Sequence, residues 1–249
     1  MSMRDRNVTD PARTFTSLEI SVIKSRAFFG VADDETIELT AFDTRKKVSV
    51  AYVRSLDEQV RLMVEADRRA DVTGVYSCFN ELHPGLFARI GEGKWIPFAS
   101  RASDNDVVRV RAVYLDFDAV RPRDISASDG EKRAAYDASL ACEQWLASEL
   151  GNDCLARGDS GNGYSLFIAV DPVPPSDTSR ARIERLLKAL SAKFSTDRVK
   201  VDQTVSNPAR LCPAFGTVKR KGVDCAERPH RGTFFICRPI VRRIPIEAL

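Results

Sequence analysis

Two aspartates in Tyr114-Leu-Asp-Phe-Asp118 are the residues of this chain whose spacing most directly suggests chemistry. On a β-strand, residues i and i+2 share a face, so Asp116 and Asp118 point together while Leu115 and Phe117 turn to the core. Carboxylates held side by side repel unless a cation neutralises them, and their hard oxygens suit Mg²⁺ or Mn²⁺. Strand ends and turns also carry aspartates, so D-x-D alone leaves that plainer reading open. Asp202, in Lys200-Val-Asp-Gln-Thr204, sits among β-branched residues that read as another strand. Carried to the same place, it completes a two-metal clamp for phosphoryl transfer; otherwise it is a surface strand residue.

Anion-binding candidates lie further along. The turn Gly158-Asp-Ser-Gly-Asn-Gly163 has glycines that permit close backbone approach, so Ser160, Gly161 and Gly163 can present N–H groups to phosphate oxygens. It lacks the Gly-Lys-Ser/Thr of a Walker A loop, and as an isolated turn it is also a plain hairpin connector. Arg210, Lys219-Arg-Lys221 and Arg228-Pro-His-Arg231 supply cations for a triphosphate or a template backbone, or else a solvated basic surface. His230, between two arginines, suits an anion better than a metal.

The elements that must position these residues are legible from periodicity. Phe15 to Val53 alternates enough to read as strands with turns. Ser55-x-x-Glu58 opens a helix with Val60 and Val64 on one face, and Val72–Phe79 reads as a buried strand. Val107–Phe117 is the clearest strand, with polar Arg109 and Arg111 in alternation. Ser128-x-x-Glu131 caps a second helix carrying Ala138, Cys142, Trp145 and Leu146 inward, with Gly151 ending it. Cys154–Arg157 and Tyr164–Val170 form a hairpin about the Gly-rich turn, and Thr178–Phe194 is a third helix. Strand-like pieces follow near Val199–Val205, Phe215–Val218 and Gly232–Cys237. The mixture predicts an α/β or α+β sheet with helices packed on it.

The chain has 249 residues and 43% hydrophobic residues, enough for a sizeable core and too many for a disordered chain. No apolar run approaches the roughly 18 residues of a membrane span, and the polar N-terminus has no signal-peptide core, which predicts a soluble, intracellular protein. Six cysteines form no C-x-x-C pair, so reduced, mostly buried thiols are expected rather than a structural zinc. The net charge of +3 hides a polarity: Arg180–Leu249 holds sixteen Lys and Arg against six Asp and Glu. A basic C-terminal part suits a polyanion, and an acidic remainder suits cations, though many globular surfaces are uneven.

Read in order, Gly-Val-Tyr-Ser-Cys-Phe-Asn80, Tyr-Leu-Asp-Phe-Asp118, Ser-Gly-Asn-Gly-Tyr164, Val-Asp-Gln-Thr-Val-Ser-Asn-Pro-Ala-Arg210, Phe-Gly-Thr-Val-Lys-Arg-Lys-Gly222 and Glu-Arg-Pro-His-Arg231 resemble the archaeo-eukaryotic primase superfamily. The likeness is to primase-polymerase domains of phages, plasmids and mobile elements, over about residues 70–238. It implies an RRM-like catalytic core packed with a second small α/β unit. The expected division is a flexible tail over 1–14, then one catalytic domain over 15–249, with an N-terminal unit over about 15–105 and the RRM-like unit over about 106–240.

The resemblance also implies template-directed nucleotidyl transfer on single-stranded DNA with NTP or dNTP and two Mg²⁺ or Mn²⁺ ions. Asp116, Asp118 and Asp202 match the metal-binding carboxylates. Lys219, Arg228 and His230 fall where phosphate or template contacts belong, and Asn80, Asn207 and Arg210 shape the pocket. No helicase motif is present, so a helicase is expected either as a separate partner or as a further domain of a longer protein. One position departs: the family's second motif ends in His after Gly-Tyr, and here it is Ser165. A serine hydroxyl supplies neither the charge nor the reach of an imidazolium. Ser165 therefore marks a divergent enzyme, a binding module without turnover, or an introduced substitution.

Overall fold

The computed structural model describes residues 15–91, 93–238 and 241–249; the expected tail over 1–14 lies outside them. The chain runs α1 (Ser17–Phe29), β1 (Ile37–Asp43), β2 (Val48–Val53), α2 (Leu56–Asp67), β3 (Val72–Cys78), β4 (Glu81–Leu82), α3 (Phe87–Ile90) and β5 (Ile96–Pro97). It continues with β6 (Val107–Ala119), α4 (Asp129–Leu150), β7 (Leu155–Asp159), β8 (Gly163–Val173), α5 (Asp177–Phe194) and β9 (Val199–Val201). Short strands β10 (Leu211–Pro213), β11 (Val218–Lys219), β12 (Arg231–Gly232) and β13 (Phe234–Cys237) complete it.

Two larger sheets share the load, beside a two-stranded ribbon of β11 and β12. The first has the order β10-β3-β1-β2-β5, and α2 buries Leu62, Met63 and Ala66 against it, with Val60 and Val64 at the margin. The second has the order β13-β7-β8-β6-β4, with β9 also paired to β6. The outer edge of β6 is thus divided, β4 taking its start and β9 its end. A strand from the segment expected in the second unit, β10, completes the first sheet, while β4 from the first segment joins the second.

Alternation on β6 sets the two faces of the second sheet. Phe117 lies opposite Tyr164 of β8, whose ring meets Tyr136 of α4 edge-on, so the Leu115 and Phe117 face carries the helices. There α4 and α5 add Cys142, Leu146, Ile183, Leu187 and Leu190 to the core. The other face carries Tyr114 opposite Phe167, and Phe28, Phe29, Phe79 and Phe235 crowd that ring at centroid distances of 5.1–6.3 Å. Such edge and tilted contacts add to the burial of large apolar area.

Several expected elements differ. Ser17–Phe29, read as strand, is helical: Thr16 and Glu19 form a reciprocal capping box, and Leu18, Val22, Phe28 and Phe29 are buried. The β-branched residues of this segment mimic strand alternation, but the cap and the helical spacing prevail. The strand at Val199 stops at Val201, because Asp202 accepts from the Thr204 amide and hydroxyl and turns the chain. Phe215–Val218 is mostly a turn through Gly216 at φ +110, with only Val218 in a strand. Arg111 is buried rather than facing solvent, ion-paired to Glu35. All six cysteines are free thiols, four of them buried. Among the described residues no helix is long and apolar enough to cross a membrane.

Candidate active site and basic cleft

Asp116 sits mid-strand with a neighbour on each side. Ser165 of β8 is its register partner, and the Asp202 amide, one residue past β9, donates to the Asp116 carbonyl at 3.0 Å. Asp118 lies two residues on, on the same face, with its side chain half exposed. The three carboxylates therefore gather at one end of the sheet. Burial comes first, and the charges of Asp118 and Asp202 add to it, in pushing the Asp116 carboxyl up to about 7 against the opposing pull of Arg210 and Tyr114.

Arginines hold the two outer carboxylates. Arg121, with a buried side chain, reaches Asp118 at 3.3 Å and also the carbonyls of Ala119 and Ile125. Arg210 reaches Asp202 at 3.5 Å. Among the described residues no three His, Cys, Asp or Glu side chains converge as a ready metal cage. The donor chemistry still fits a hard divalent cation: the oxygens are of the right kind, and crowding disfavours ionised Asp116 until positive charge arrives. Asp116, Asp118 and Asp202 are the residues that would hold it, with Arg121 and Arg210 giving way.

Ser165 is fully buried, and its hydroxyl pairs with the Tyr114 phenol at 3.2 Å. Tyr114 thus covers the position at which the resemblance expects histidine. In the turn, the Ser160 amide bonds the Gly163 carbonyl, the Gly161 amide bonds Asp159, and the Gly163 amide bonds the Ser160 hydroxyl. These N–H groups are spent within the turn instead of facing a phosphate. Gly163 is needed for closeness, since a Cβ there would collide with the Phe117 carbonyl and lie 3.1 Å from an Asp118 oxygen.

Beside the carboxylates opens a cleft of about 860 Å³. Asn207, Arg210, Lys219 and His230 of the expected set line it, joined by Lys46, Arg101, Arg220 and Lys221. Phe42 and Tyr76 give it an aromatic wall, their rings edge-to-face at 5.4 Å. Asn207 bonds Asp104 at 3.4 Å and accepts from the Arg210 amide, bracing the loop that carries Arg210. The His230 ring sits 3.0 Å from the Gly222 carbonyl.

Lys219 is the most unusual lining residue. It is buried, and its ammonium lies over the Tyr76 ring at 3.9 Å in the space left by Gly74. No carboxylate offsets its charge among the described residues, and burial, with Lys221 adding to it, holds its pKa well below the usual lysine range. Ser160, Gly161, Gly163, Ser165 and Arg228 do not line the cleft. Arg228 forms a two-pronged pair with Glu131 and bonds the Ser126 carbonyl, pinning the start of α4. Asn80 braces the core, donating to the Pro208 carbonyl and accepting from the Arg111 amide. Sequence reading missed Lys46, Tyr76, Arg101, Tyr114 and Arg121; only Tyr114 carried a signal, by lying two residues before Asp116 on the same strand face.

No protein-family profile matches the chain, and no curated protein matches it. Solved structures do. The chain is similar to the AEP domain of the cyanophage S-2L primase-polymerase, with TM-score 0.52 and 14% identity over 92% of this chain and 94% of that one. The fold is shared with that AEP domain. The polymerase domain of Mycobacterium tuberculosis Ligase D, solved with DNA, also matches, with TM-score 0.43 and 13% identity over 89% of this chain and 87% of that one. In this primase-polymerase fold the mixed helices and antiparallel sheets agree with the architecture expected from the sequence.

Proposed function

We propose that this chain is a DNA primase-polymerase domain that transfers nucleotides to a primer or first nucleotide under the direction of a single-stranded template. The observation that carries the reading is the meeting of Asp116, Asp118 and Asp202 beside a basic, aromatic-walled cleft large enough for a nucleotide. The polymerase class rests on the fold shared with the cyanophage domain, and the replication of a phage, plasmid or mobile element is the matching role.

In the proposed reaction a 3′-hydroxyl oxygen attacks the α-phosphorus of an NTP or dNTP. The new P–O bond forms as the α–β P–O bond breaks, pyrophosphate leaves, and the hydroxyl proton passes to Asp202 or solvent. Mg²⁺ or Mn²⁺ at the three aspartates would supply Lewis-acid charge for the attacking and leaving oxygens. Arg210 stands between the carboxylates and the cleft, where it orients a phosphate. Lys219 offers an ammonium to the phosphate chain, and Tyr76 and Phe42 offer ring surface to a base.

Extension of a labelled primer–template with Mn²⁺ and then Mg²⁺ tests the reading, with Asp116→Ala alongside. Metal-dependent extension lost in the variant supports it; extension retained in Asp116→Ala removes the site assignment. The second reading, a binding module of the same fold, is favoured by the burial of Ser165 beneath Tyr114. It predicts nucleotide or DNA binding with no extension.

A further inference from the structure

The mouth of the cleft is crossed by an ion pair between distant loops. Lys46, in the β1–β2 turn, meets Asp124, in the loop between β6 and α4, at 3.1 Å. Both residues line the cleft, and both have left-handed backbones, at φ 60 and 59, which place them at the bends of opposed turns. Their side chains are 79% and 70% exposed, so the pair is open to competition from solution.

Both loops are braced. Asp43 accepts from the Arg45 and Lys47 amides, fixing the turn that carries Lys46. On the far rim, Ser126 bonds the Lys221 carbonyl and Arg121 bonds the Ile125 carbonyl, while Gly222 packs closely under the Asp124 carbonyl. Asp43 and Asp124 are the acidic residues of an otherwise basic lining, and Asp43 is already committed to its own turn. Of these two lining carboxylates, Asp124 is the one that reaches across to a lining cation. Lys221 and Arg123 add positive potential around it.

We propose that Lys46 is a backbone-phosphate contact for a single strand entering the cleft, and that Asp124 is a built-in competitor occupying that contact in the free protein. The proposal rests on the nucleic-acid reading above. A phosphodiester and a carboxylate offer Lys46 the same kind of anionic oxygens, so the strand exchanges one ion pair for another. Exposed pairs of this type hold by no more than about fivefold in an equilibrium constant, which makes the contact displaceable.

The test is fluorescence anisotropy of a labelled single-stranded oligodeoxynucleotide over a salt series, with wild type, Asp124→Asn, Lys46→Met and the double variant. Asp124→Asn should tighten binding by about two- to fivefold. Lys46→Met should weaken it and reduce the slope of log K against log salt by about one. The gain from Asp124→Asn should disappear in the Lys46→Met background. A gain that survives there undiminished shows a general charge effect and overturns the competitor. Unchanged binding in both single variants overturns the contact itself. A parallel titration with dGTP separates the anion sources: a Lys46 effect on nucleotide but not on the strand overturns the strand assignment. If neither wild type nor any variant binds the oligonucleotide at low salt, the nucleic-acid reading falls and takes this proposal with it.

Discussion

Asp202 is fastened to Asp116 through the main chain: its amide donates to the Asp116 carbonyl at 3.0 Å, immediately beyond the β9 pairing of Val201 with Phe117. The distance between the two carboxylate-bearing residues is thus set by sheet geometry rather than by side-chain packing. Asp118 is fixed in the same way by lying two residues along one strand. Sheet-borne groups hold their geometry better than loop-borne ones, as a site that must arrange charge needs.

Asp116→Asn should lower metal-dependent extension at least roughly a hundredfold while raising the melting temperature in EDTA. Burial and the neighbouring carboxylates push Asp116 up from 3.8 to about 7, so its ionisation opposes folding. Wild-type stability from this group therefore falls as pH rises from about 4 to about 7, and the asparagine variant lacks that decline. Thermal melts across pH 4–8 without divalent metal read it directly; identical profiles would remove the argument.

Ser165→His should not act as a repair. The position is fully buried, with the Tyr114 hydroxyl at 3.2 Å, so an imidazole overpacks it at a cost of about 1–3 kcal/mol. Urea unfolding should show the loss, and extension should not rise. A large gain in extension at unchanged stability would show that Tyr114 moves aside easily.

Lys219→Met should stabilise the fold and weaken anion binding together. The methionine keeps the apolar stem against Tyr76 and removes an ammonium that is costly to bury without a carboxylate partner. Melting temperature and nucleotide affinity, measured on one preparation, should move in opposite directions. A variant with lower stability would mean that the contact with Tyr76 outweighs the burial cost.

Asp106 provides a pH prediction away from the site. Burial disfavours its charge, but hydrogen bonds from Arg89 and Ser103 outweigh burial and hold its pKa at about 2. A depressed carboxyl stabilises the native state above its unfolded value near 3.8 and loses that contribution as pH falls towards 2. The stability gap between wild type and Asp106→Asn should therefore be full at pH 6 and close in acid. Denaturant titrations at pH 3, 4 and 6 check the trend.

Much of this architecture is legible in the sequence. The strand at 107–119, the helix capped by Ser128 and the Gly-rich hairpin all carry local signals strong enough to stand alone. The helix at 17–29 did not, because Leu18, Ile20 and Val22 imitate strand alternation and its apolar face is apparent only against β13 and the first sheet. The two-residue strands β4 and β5 were invisible for a related reason, since partners supply what two residues of sequence cannot. Among candidate site residues, the aspartates announced themselves by spacing. The Tyr76–Lys219 pair did not, because it joins positions far apart in sequence whose individual types are ordinary.

The first sheet ends in β10, a strand made by residues that follow the whole carboxylate-bearing sheet core in the chain. During synthesis, β3 therefore waits with an open edge until Leu211–Pro213 has emerged from the ribosome. The cleft, whose walls come from both sides of that pairing, acquires its shape late, after the strand carrying Asp116 and Asp118 has been made. Truncation ahead of residue 211 would leave a strand edge exposed to other chains, so shortened products are expected to aggregate rather than persist as half-active domains.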